Sequence, residues 1–231
     1  MEKYVHCIVK LRLLLTFTLL TFCSYVLDAQ NDELAARLQA GHNAAFGGYA
    51  AISIETVQNL CNNVSVNGGV QYNTIGKTAI EFRPAYHIFF DWGKLSPEAL
   101  AIYTRLTSVN SFAVGAGARV DSRTISGRIG YYYHLFGGNG RTIIEPFNIY
   151  YELRVHFLKK FEMWNLDLVI TNCEMFELER HFQPSFIAEA CYYPKSNFGI
   201  SFGLGCKPAG MFNMSADYYQ SYLKTGVCYR W

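Results

Sequence analysis

Charged side chains that alternate with apolar ones are the residues of this chain whose types and spacing could do chemistry. Glu152 and Arg154 are two positions apart, and Arg128 and Asp167 occupy equivalent polar positions in the segments before and after them. Two carboxylates held close together could do acid–base work, because their mutual repulsion keeps one of them protonated. Arginines beside them would neutralise both, and the same residues would then be the ionic filling of a polar interior.

A pairing scheme brings these side chains together. If two segments pair around the glycine turn at 137–140, Arg128 lies diagonal to Glu152. If the next pair turns at Lys159–Lys160, Glu152 lies opposite Asp167. We therefore expect a single cluster and favour ionic filling over catalysis for its members, Arg128, Glu152, Arg154 and Asp167.

Three histidines, His87, His134 and His156, also occupy polar positions of these segments. A metal site needs three or four ligands that converge within about 2.0–2.3 Å of one ion. Pairing around the glycine turn places His134 beside the turn and His156 at the far end, so the two cannot meet. The chain has no CxxC pair, no GxSxG elbow and no phosphate-loop or dinucleotide fingerprint. We expect hydrogen-bonding histidines, no metal, no cofactor and no enzyme.

The elements that must position these residues are strands, because apolar and polar side chains alternate through most of the chain. In residues 147–157 the apolar positions are Phe147, Ile149, Tyr151, Leu153, Val155 and Phe157. Similar alternation occurs in residues 80–92, 125–135, 164–171 and 198–206. A strand sends successive side chains to opposite faces, so each segment is a two-sided ribbon and the protein is all-β.

Turn signals divide the chain into about twelve strands, with eight or ten as alternatives. The signals include Gly93 with Ser96–Pro97, Asp121–Ser122, residues 137–140 and residues 194–196. The expected strands are near 44–56, 62–74, 78–92, 98–109, 111–121, 124–136, 142–158, 161–173, 181–194, 196–207, 210–219 and 221–231.

The polar face carries the features of an enclosed lumen. It collects glycine and arginine, and it carries both signs of charge in nearly equal number, whereas bulky Phe, Tyr, Trp, Ile and Leu fill the other face. Arginine forms the planar bidentate pairs that an enclosed interior requires. This predicts a closed antiparallel transmembrane β-barrel whose apolar face contacts lipid. The expected lumen-lining residues, forming a pore wall or an ionic plug, are Arg83, Arg119, Arg128, Glu152, Arg154 and Asp167. Arg105 and Arg230 are assigned to the same face, with Glu81, Asp91, Asp121 and Glu189 as further acids.

The chain begins with the pattern of a secretory signal. Lys3, Lys10 and Arg12 precede an apolar run from Leu13 to Leu27, and Ala29 is a small residue at the expected cleavage point. We assign residues 1–29 to a signal peptide, 30–41 to a short N-terminal segment and 42–231 to one barrel domain. Residues 31–40 could form a capped helix or a frayed terminus.

The composition argues against an ordinary soluble domain and against a nucleic-acid-binding protein. Hydrophobic residues make up 51% and charged residues 16%, whereas a soluble domain carries about 25% charge. The net charge is +2 with no cluster of Lys and Arg, so no nucleic-acid footprint is expected. The five cysteines after the signal are expected to be apolar fillers, with one disulfide at most.

The last residues, TGVCYRW, form a closing strand that ends on an aromatic side chain. With the signal peptide, Gln30 at the expected mature start and Tyr-rich strands, the chain resembles small outer-membrane β-barrel proteins of Bacteroidota-type bacteria. The resemblance implies residence in the bacterial outer membrane and contact with its lipid. It also implies that the barrel-assembly machinery reads the closing strand, which we expect to pair with a first strand near 46–54.

We expect an outer-membrane barrel with a structural or a narrow passive-pore role. One alternative is an outer-membrane enzyme acting on lipid or peptide, which needs a nucleophile and a base that converge near one rim. Another is a secreted soluble barrel that binds a small apolar ligand, which needs the apolar face inside.

Overall fold

A computed structural model describes residues 32–44, 47–106, 109–138, 141–157, 163–174, 176–178, 183–194, 197–208 and 218–231. The expected signal peptide at 1–29 and the turn at Lys159–Lys160 lie outside these residues. In the part of the chain that is described, no helix is long and apolar enough to cross a membrane.

Fifteen strands account for nearly all of the described chain. They are β1 (Glu33–Asn43), β2 (Gly47–Cys61), β3 (Val64–Asn73), β4 (Lys77–Tyr86), β5 (Ile88–Phe90), β6 (Gly93–Leu106), β7 (Val109–Asp121), β8 (Ile125–Gly138), β9 (Arg141–His156), β10 (Trp164–Thr171), β11 (Cys173–Glu174), β12 (Glu177–Leu178), β13 (Ser185–Tyr192), β14 (Phe198–Pro208) and β15 (Tyr218–Arg230).

Antiparallel pairing of these strands closes a barrel of twelve wall strands. β4 and β5 both pair with β6 and act as one interrupted wall strand, while β11 and β12 pair only with each other. β1 pairs with β15 over its whole length, from Glu33 opposite Arg230 to Asn43 opposite Gln220. Closure removes the exposed strand edges, whose unpaired backbone groups would each cost several kcal/mol in lipid. The predicted all-β closed antiparallel barrel is confirmed.

The bulky apolar side chains point outward. Ile129 is 64% exposed, Leu204 63% and Trp92 60%. Among the aromatic residues of this face, Tyr131, Tyr133 and Trp164 are also exposed, whereas Trp231 is half-buried. An outer wall of this kind is stable only against hydrocarbon, and it is the opposite of what the secreted soluble alternative requires.

The first strand corrects two expectations. Residues 33–43 form β1, so the helix considered for 31–40 is wrong, and β15 closes on β1 rather than on a strand near 46–54. Leu34 and Leu38, the two bulky apolar residues of β1, are four positions apart and both face outward. That spacing fits a helical repeat as well as a strand, and the small or polar residues around them give no further alternation.

Several strand limits also differ from those expected. β6 begins at Gly93 and runs through Ser96–Pro97, which the sequence assigned to a turn. The β4–β6 ladder is interrupted at Pro84 of β4, between the pairs Phe82–Ala101 and Ala85–Glu98, as the missing N–H of proline requires. Residues 221–231 belong to a strand that already begins at Tyr218, and most of the separate strand expected at 210–219 lies outside the described ranges.

The two ends of the barrel differ. The end that contains Asp32 and Trp231, called the terminal end, has connections such as residues 62–63 and 91–92. The opposite end, called the loop end, has the two longest connections, residues 172–184 and 209–217. The described residues of the first connection, 172–174, 176–178 and 183–184, include β11 and β12.

Candidate functional site

The connection between β10 and β13 folds into the barrel. Its residues 172–174 and 176–178, called the lumenal hairpin, include Asn172, Cys173 and Phe176, which are 0%, 2% and 1% exposed. Their partners lie near the middle of wall strands rather than at the rim, as shown by the contacts of Phe176 with Glu81. The lumenal hairpin therefore crosses the interior at about mid-height.

Hydrogen bonds to β9 fix the point where the chain turns inward. The Asn172 side-chain amide donates to the carbonyl of Ile149 at 2.8 Å, and its Oδ1 accepts from the backbone N–H of Tyr151 at 2.7 Å. The Thr171 hydroxyl donates to the carbonyl of Tyr151 at 2.8 Å. These bonds satisfy backbone groups of β9 at the place where β10 stops pairing with it.

The tip of the lumenal hairpin is bound to β4. The backbone N–H of Phe176 donates to Glu81 Oε2 at 2.8 Å, and Phe176 has a φ of 68°. Arg83 Nη2 lies 2.9 Å from Glu81 Oε1 and donates to Cys173 Sγ at 3.3 Å. Both charged side chains are almost completely buried. A non-glycine residue at positive φ costs about 1–3 kcal/mol, which these charge-assisted contacts offset.

The other side of the hairpin is bound to β14 and β15. The Tyr222 hydroxyl donates to Glu174, and Lys207 Nζ lies 3.9 Å from Glu174 Oε2. With the bonds to β9 and β4, the hairpin is held from three sides of the wall. The hairpin therefore spans the lumen and contacts several wall strands, whereas a loop folded against the wall would contact only one.

An apolar cluster packs against the hairpin. Its buried members are Leu100, Ile102, Ala113, Tyr132, Tyr150 and Cys173, and Leu178 packs against them. Tyr150 is 0% exposed and fits because Gly117 and Gly130 on the neighbouring strands have no Cβ. Its hydroxyl donates to Glu98 Oε1 at 3.3 Å. Here the lumen is filled by side chains.

Two cavities lined by the described residues lie on opposite sides of the hairpin. The upper cavity, toward the loop end, has a volume of about 240 Å³ and includes Asn73, Ile102, His134, Phe176 and Leu178 in its lining. The lower cavity has a volume of about 220 Å³ and is lined mainly by charged side chains. Those residues are Arg37, Glu55, Glu81, Arg83, Arg119, Arg128, Glu152, Arg154, Glu174, Glu189 and Lys224.

Ion pairs connect the charged side chains around the lower cavity. Arg128 Nε lies 2.9 Å from Glu98 Oε1, although its N–H is not aimed for a hydrogen bond, and Arg128 Nη1 donates to Glu152 Oε2 at 3.3 Å. Arg154 Nη1 contacts Asp167 at 2.9 Å and Glu189 at 3.1 Å. Each guanidinium is therefore shared between carboxylates, which suits a desolvated interior.

The structure brings the expected lumen-lining residues together. Arg83, Arg128, Arg154, Glu152 and Arg119 line the lower cavity. Asp167 joins through Arg154 and through His156 Nδ1, which is 2.7 Å from Asp167 Oδ1. Whether these side chains form a pore wall or a plug stays a prediction.

Two of the other arginines lie elsewhere. Arg230 is at the terminal end, where it pairs with Glu33 at 2.8 Å and lies over the Tyr193 ring. Arg105 is exposed on the outer face, so its assignment to the lumen is wrong. In β6 the inward positions are even-numbered, as Leu100 and Ile102 show.

The expected register was wrong at two places. Arg128 lies directly opposite Glu152, because the pairing of β8 with β9 continues to Gly138 and Arg141 and a bulge between Tyr132 and His134 shifts it by one further residue. Asp167 lies opposite His156 and not opposite Glu152, because the pairing of β9 with β10 is shifted by four residues from the register that a turn at Lys159–Lys160 gives. The cluster still forms, since arginine reaches across neighbouring positions.

Sequence reasoning missed three acids of the site, Glu55, Glu98 and Glu174. Glu98 was overlooked because it follows Ser96–Pro97, yet it has the parity of Leu100 and Ile102 and could have been assigned inward from them. Glu174 has no such signal, because it belongs to the hairpin and not to a wall strand.

The histidines are held apart by hydroxyl and carboxylate partners. His134 Nε2 is 2.7 Å from the Ser111 hydroxyl in the wall of the upper cavity. His87 lies between the hydroxyls of Ser65 and Ser96, at 2.8 and 2.9 Å. Among the described residues, no group of three His, Cys, Asp or Glu side chains could hold a metal ion. The described cysteines, Cys61, Cys173, Cys191, Cys206 and Cys228, form no disulfide with one another.

Comparison with known proteins bears on the fold. No family model and no curated protein matches the sequence. The chain is similar to the KdgM porin in complex with disordered oligogalacturonate, with a TM-score of 0.59 and 10% identity over 86% of this chain and 99% of that one.

Two further barrels are similar to the same degree. The translocator domain of the autotransporter NalP from Neisseria meningitidis has a TM-score of 0.58 and 12% identity, over 100% of this chain and 98% of that one. The COG4313 outer membrane channel from Pseudomonas putida F1 has a TM-score of 0.56 and 8% identity, over 89% and 97%. At such identities the likeness is one of fold. With its apolar outer wall, this fold is that of a bacterial outer-membrane β-barrel protein.

Proposed function

We propose that this protein is a narrow passive pore of the outer membrane, held closed at mid-height by the lumenal hairpin. The observation that carries the proposal is the pair of cavities, about 240 and 220 Å³, that lie on opposite sides of the hairpin. A purely structural barrel of this width would need its interior filled along the whole axis, because about twelve strands enclose more space than wall side chains occupy.

The chemistry of the interior supports passage of hydrated solutes. Charged groups of both signs line the lower cavity, and amide and hydroxyl groups line part of the upper one. Such walls replace the water that a small polar solute gives up on entering a narrow lumen. Likeness in fold to KdgM, NanC and other porins agrees with a pore and selects no solute.

The hairpin could block the lumen and still move without unpairing the wall strands. It is held by side-chain contacts to β4, β9, β14 and β15 and pairs with no wall strand as a strand. Its displacement would break these polar contacts and expose Cys173, Phe176 and Leu178, but it would leave the barrel ladder intact. That arrangement suits a closed state that opens locally.

A second candidate, a non-conducting structural barrel, is favoured by the charge pairing. Each of Arg83, Arg119, Arg128 and Arg154 has a carboxylate within 3.0 Å. Complete neutralisation leaves no free row of arginines to attract anions. The two candidates differ in whether removing the hairpin produces a current.

Single-channel recording in planar bilayers separates them. The mature protein should give small or rare currents, and a variant with residues 173–178 replaced by a Gly-Ser linker should give a steady current several-fold larger. Leu204→Ala, on the outer wall, is the matched control and should behave as the parent. A folded linker variant that remains silent would leave the structural barrel as the better candidate. A steady anion-selective current of the parent, lost in Arg128→Ala, would instead show that the charged wall itself conducts.

A further inference from the structure

The upper cavity has two chemically different walls. The more polar wall comes from the loop ends of β1, β2, β3, β4 and β15, and the more apolar wall comes from β6, β7, β8 and the lumenal hairpin. The first wall carries Asn43, Tyr49, Asn73, Lys77 and Gln220, with Ile75 among them. The second carries Ile102, Leu106, Ala113, Phe176 and Leu178, with the polar side chains of Thr104, Ser111 and His134 among them.

The polar wall is held in place by its own hydrogen bonds. The Tyr49 hydroxyl accepts from Gln39 Nε2 at 2.6 Å and also from Gln220 Nε2. Asn73 Oδ1 accepts from the backbone N–H of Lys77 at 2.8 Å, which ties β3 to the start of β4. Asn43 and Asn73 are both buried, although they lie at the ends of strands. Side chains fixed in this way lose little freedom when a ligand binds.

The apolar wall continues into the floor. Phe176 and Leu178 belong to the hairpin, and Ile102 and Ala113 belong to the apolar cluster that packs against it. A ligand in this cavity would therefore lie on the hairpin itself and would contact the residues that close the lumen.

The charges of the side chains that line the upper cavity favour a neutral ligand over a cation. Among the described residues that line the upper cavity there is no carboxylate, and Lys77 is the only side chain with a fixed charge. A cation would find no counter-charge there. A neutral solute rich in hydroxyl groups would find amide and phenol partners on one side and an apolar surface on the other.

We propose that the upper cavity is a binding site for one sugar-sized, hydroxyl-rich solute. A pyranose ring fits this division, because its hydroxyls radiate around the ring edge while its C–H groups form an apolar face. Amide side chains bind neighbouring hydroxyls as donor and acceptor together, and the C–H face packs on Phe176, Leu178 and Ile102. The volume of about 240 Å³ limits the site to a single ring with a few waters.

The proposal deepens the proposed pore by naming a class of solute, and it rests on that function only for what happens after binding. Binding itself requires only a folded barrel. A solute lying on Phe176 would add contacts to the closed hairpin and would therefore reduce any current that the hairpin controls.

Saturation-transfer NMR on the purified barrel in detergent micelles tests the site, with glucose as the probe and hexanoate as an amphipathic comparison. Glucose should bind saturably in the millimolar range. Gln220→Ala should weaken binding by about 2- to 10-fold, as expected for one net hydrogen bond, and Thr104→Phe, which fills the cavity from β6, should abolish it. Asn67→Ala, in the lower cavity, should leave glucose binding unchanged.

Three results would overturn the proposal: no saturable glucose signal up to about 100 mM, saturable binding of hexanoate alone, or glucose binding that Thr104→Phe leaves intact in a folded barrel. The pore is judged separately by conductance. Glucose binding to a barrel that never conducts would support the site and reject the pore, whereas a conducting barrel without glucose binding would do the reverse.

Discussion

The backbone N–H of Phe176 donates a 2.8 Å hydrogen bond to the carboxylate of Glu81, which joins the tip of the lumenal hairpin to the barrel wall. The two residues are 95 positions apart in the chain. Outer-membrane barrels usually carry long loops on their extracellular side, whereas here residues 172–174 and 176–178 of a long connection lie inside the lumen. In the proposed pore, this contact would make the closed state depend on one buried acid.

Removing that acid should loosen the hairpin. Glu81→Ala deletes the acceptor of the Phe176 N–H and leaves the buried Arg83 guanidinium without its carboxylate at 2.9 Å. We expect openings to become several-fold more frequent than in the parent when single channels are recorded in planar bilayers. We also expect the barrel to lose about 3–5 kcal/mol of unfolding free energy, as is usual when one partner of a buried ion pair is deleted.

Glu55→Ala is the matched control, because Glu55 also pairs with an arginine, Arg37, and also lines the lower cavity. The described contacts of Glu55 do not include the hairpin. If both variants opened equally often, the change of lumen charge and not the Phe176–Glu81 contact would be the cause.

The pairing of Arg128 should be the strongest ionic contribution to barrel stability. Arg128 lies between Glu98 and Glu152, and all three side chains are less than a tenth exposed. Arg128→Ala removes the arginine that pairs with Glu98 and leaves Glu152 with Arg154 alone, at 3.4 Å, so the unfolding free energy should fall by about 3–5 kcal/mol. Urea unfolding of the purified barrel in detergent, followed by tryptophan fluorescence, measures the change.

Arg119→Ala provides the comparison. Arg119 pairs with Asp121 at 2.7 Å, but both side chains are partly exposed, and pairs of that kind contribute about 0–1 kcal/mol. An equal loss in the two variants would mean that burial does not determine the strength of these ion pairs.

The sequence predicted the wall of the barrel better than its contents. Alternation in β4, β8, β9 and β14 was strong enough to assign inward and outward faces, because lipid demands bulky apolar side chains at every second position. β1 was not predicted as a strand because its outward face has only Leu34 and Leu38 as large apolar residues. Its assignment follows from pairing with β15, which is tertiary information.

The hairpin could not be predicted from local pattern. Residues 172–178 read NCEMFEL, which has neither a strand repeat nor a turn signal. Their inward course is decided by partners far away in the chain, Glu81 on β4 and Tyr222 on β15. The ionic cluster was predictable in composition because both signs of charge share one face, whereas its register depended on a bulge at Tyr132–His134.

Loss of the last three residues should prevent assembly. Tyr229 and Arg230 pair with Leu34 and Glu33, Arg230 adds an ion pair to Glu33 at 2.8 Å, and the Trp231 N–H donates to the carbonyl of Asp32. Deleting Tyr229 to Trp231 leaves the terminal end of β1 unpaired in lipid and removes the segment that the barrel-assembly machinery is proposed to read. We expect the truncated chain to be absent from the outer-membrane fraction of expressing cells.

Trp231→Phe should assemble normally in the same fractionation, because it keeps an aromatic end and every backbone bond. Normal insertion of the truncated chain would contradict both the importance of the β1–β15 pairing at the terminal end and the proposed recognition of the closing strand.

Packing of the Tyr150 ring inside the lumen should require glycine at position 130. A Cβ at Gly130 would overlap the ring of Tyr150, which is 0% exposed and has no space to move into among its buried neighbours. Gly130→Ala should therefore lower the unfolding free energy by about 1–3 kcal/mol, as overpacking of a closed core does. Gly203→Ala is the control, since a Cβ there lies 3.5 Å from the Cβ of Lys224, an ordinary contact. The urea concentration at the unfolding midpoint, measured in detergent for both variants, tests this prediction. Equal midpoints would show that Tyr150 is free to shift.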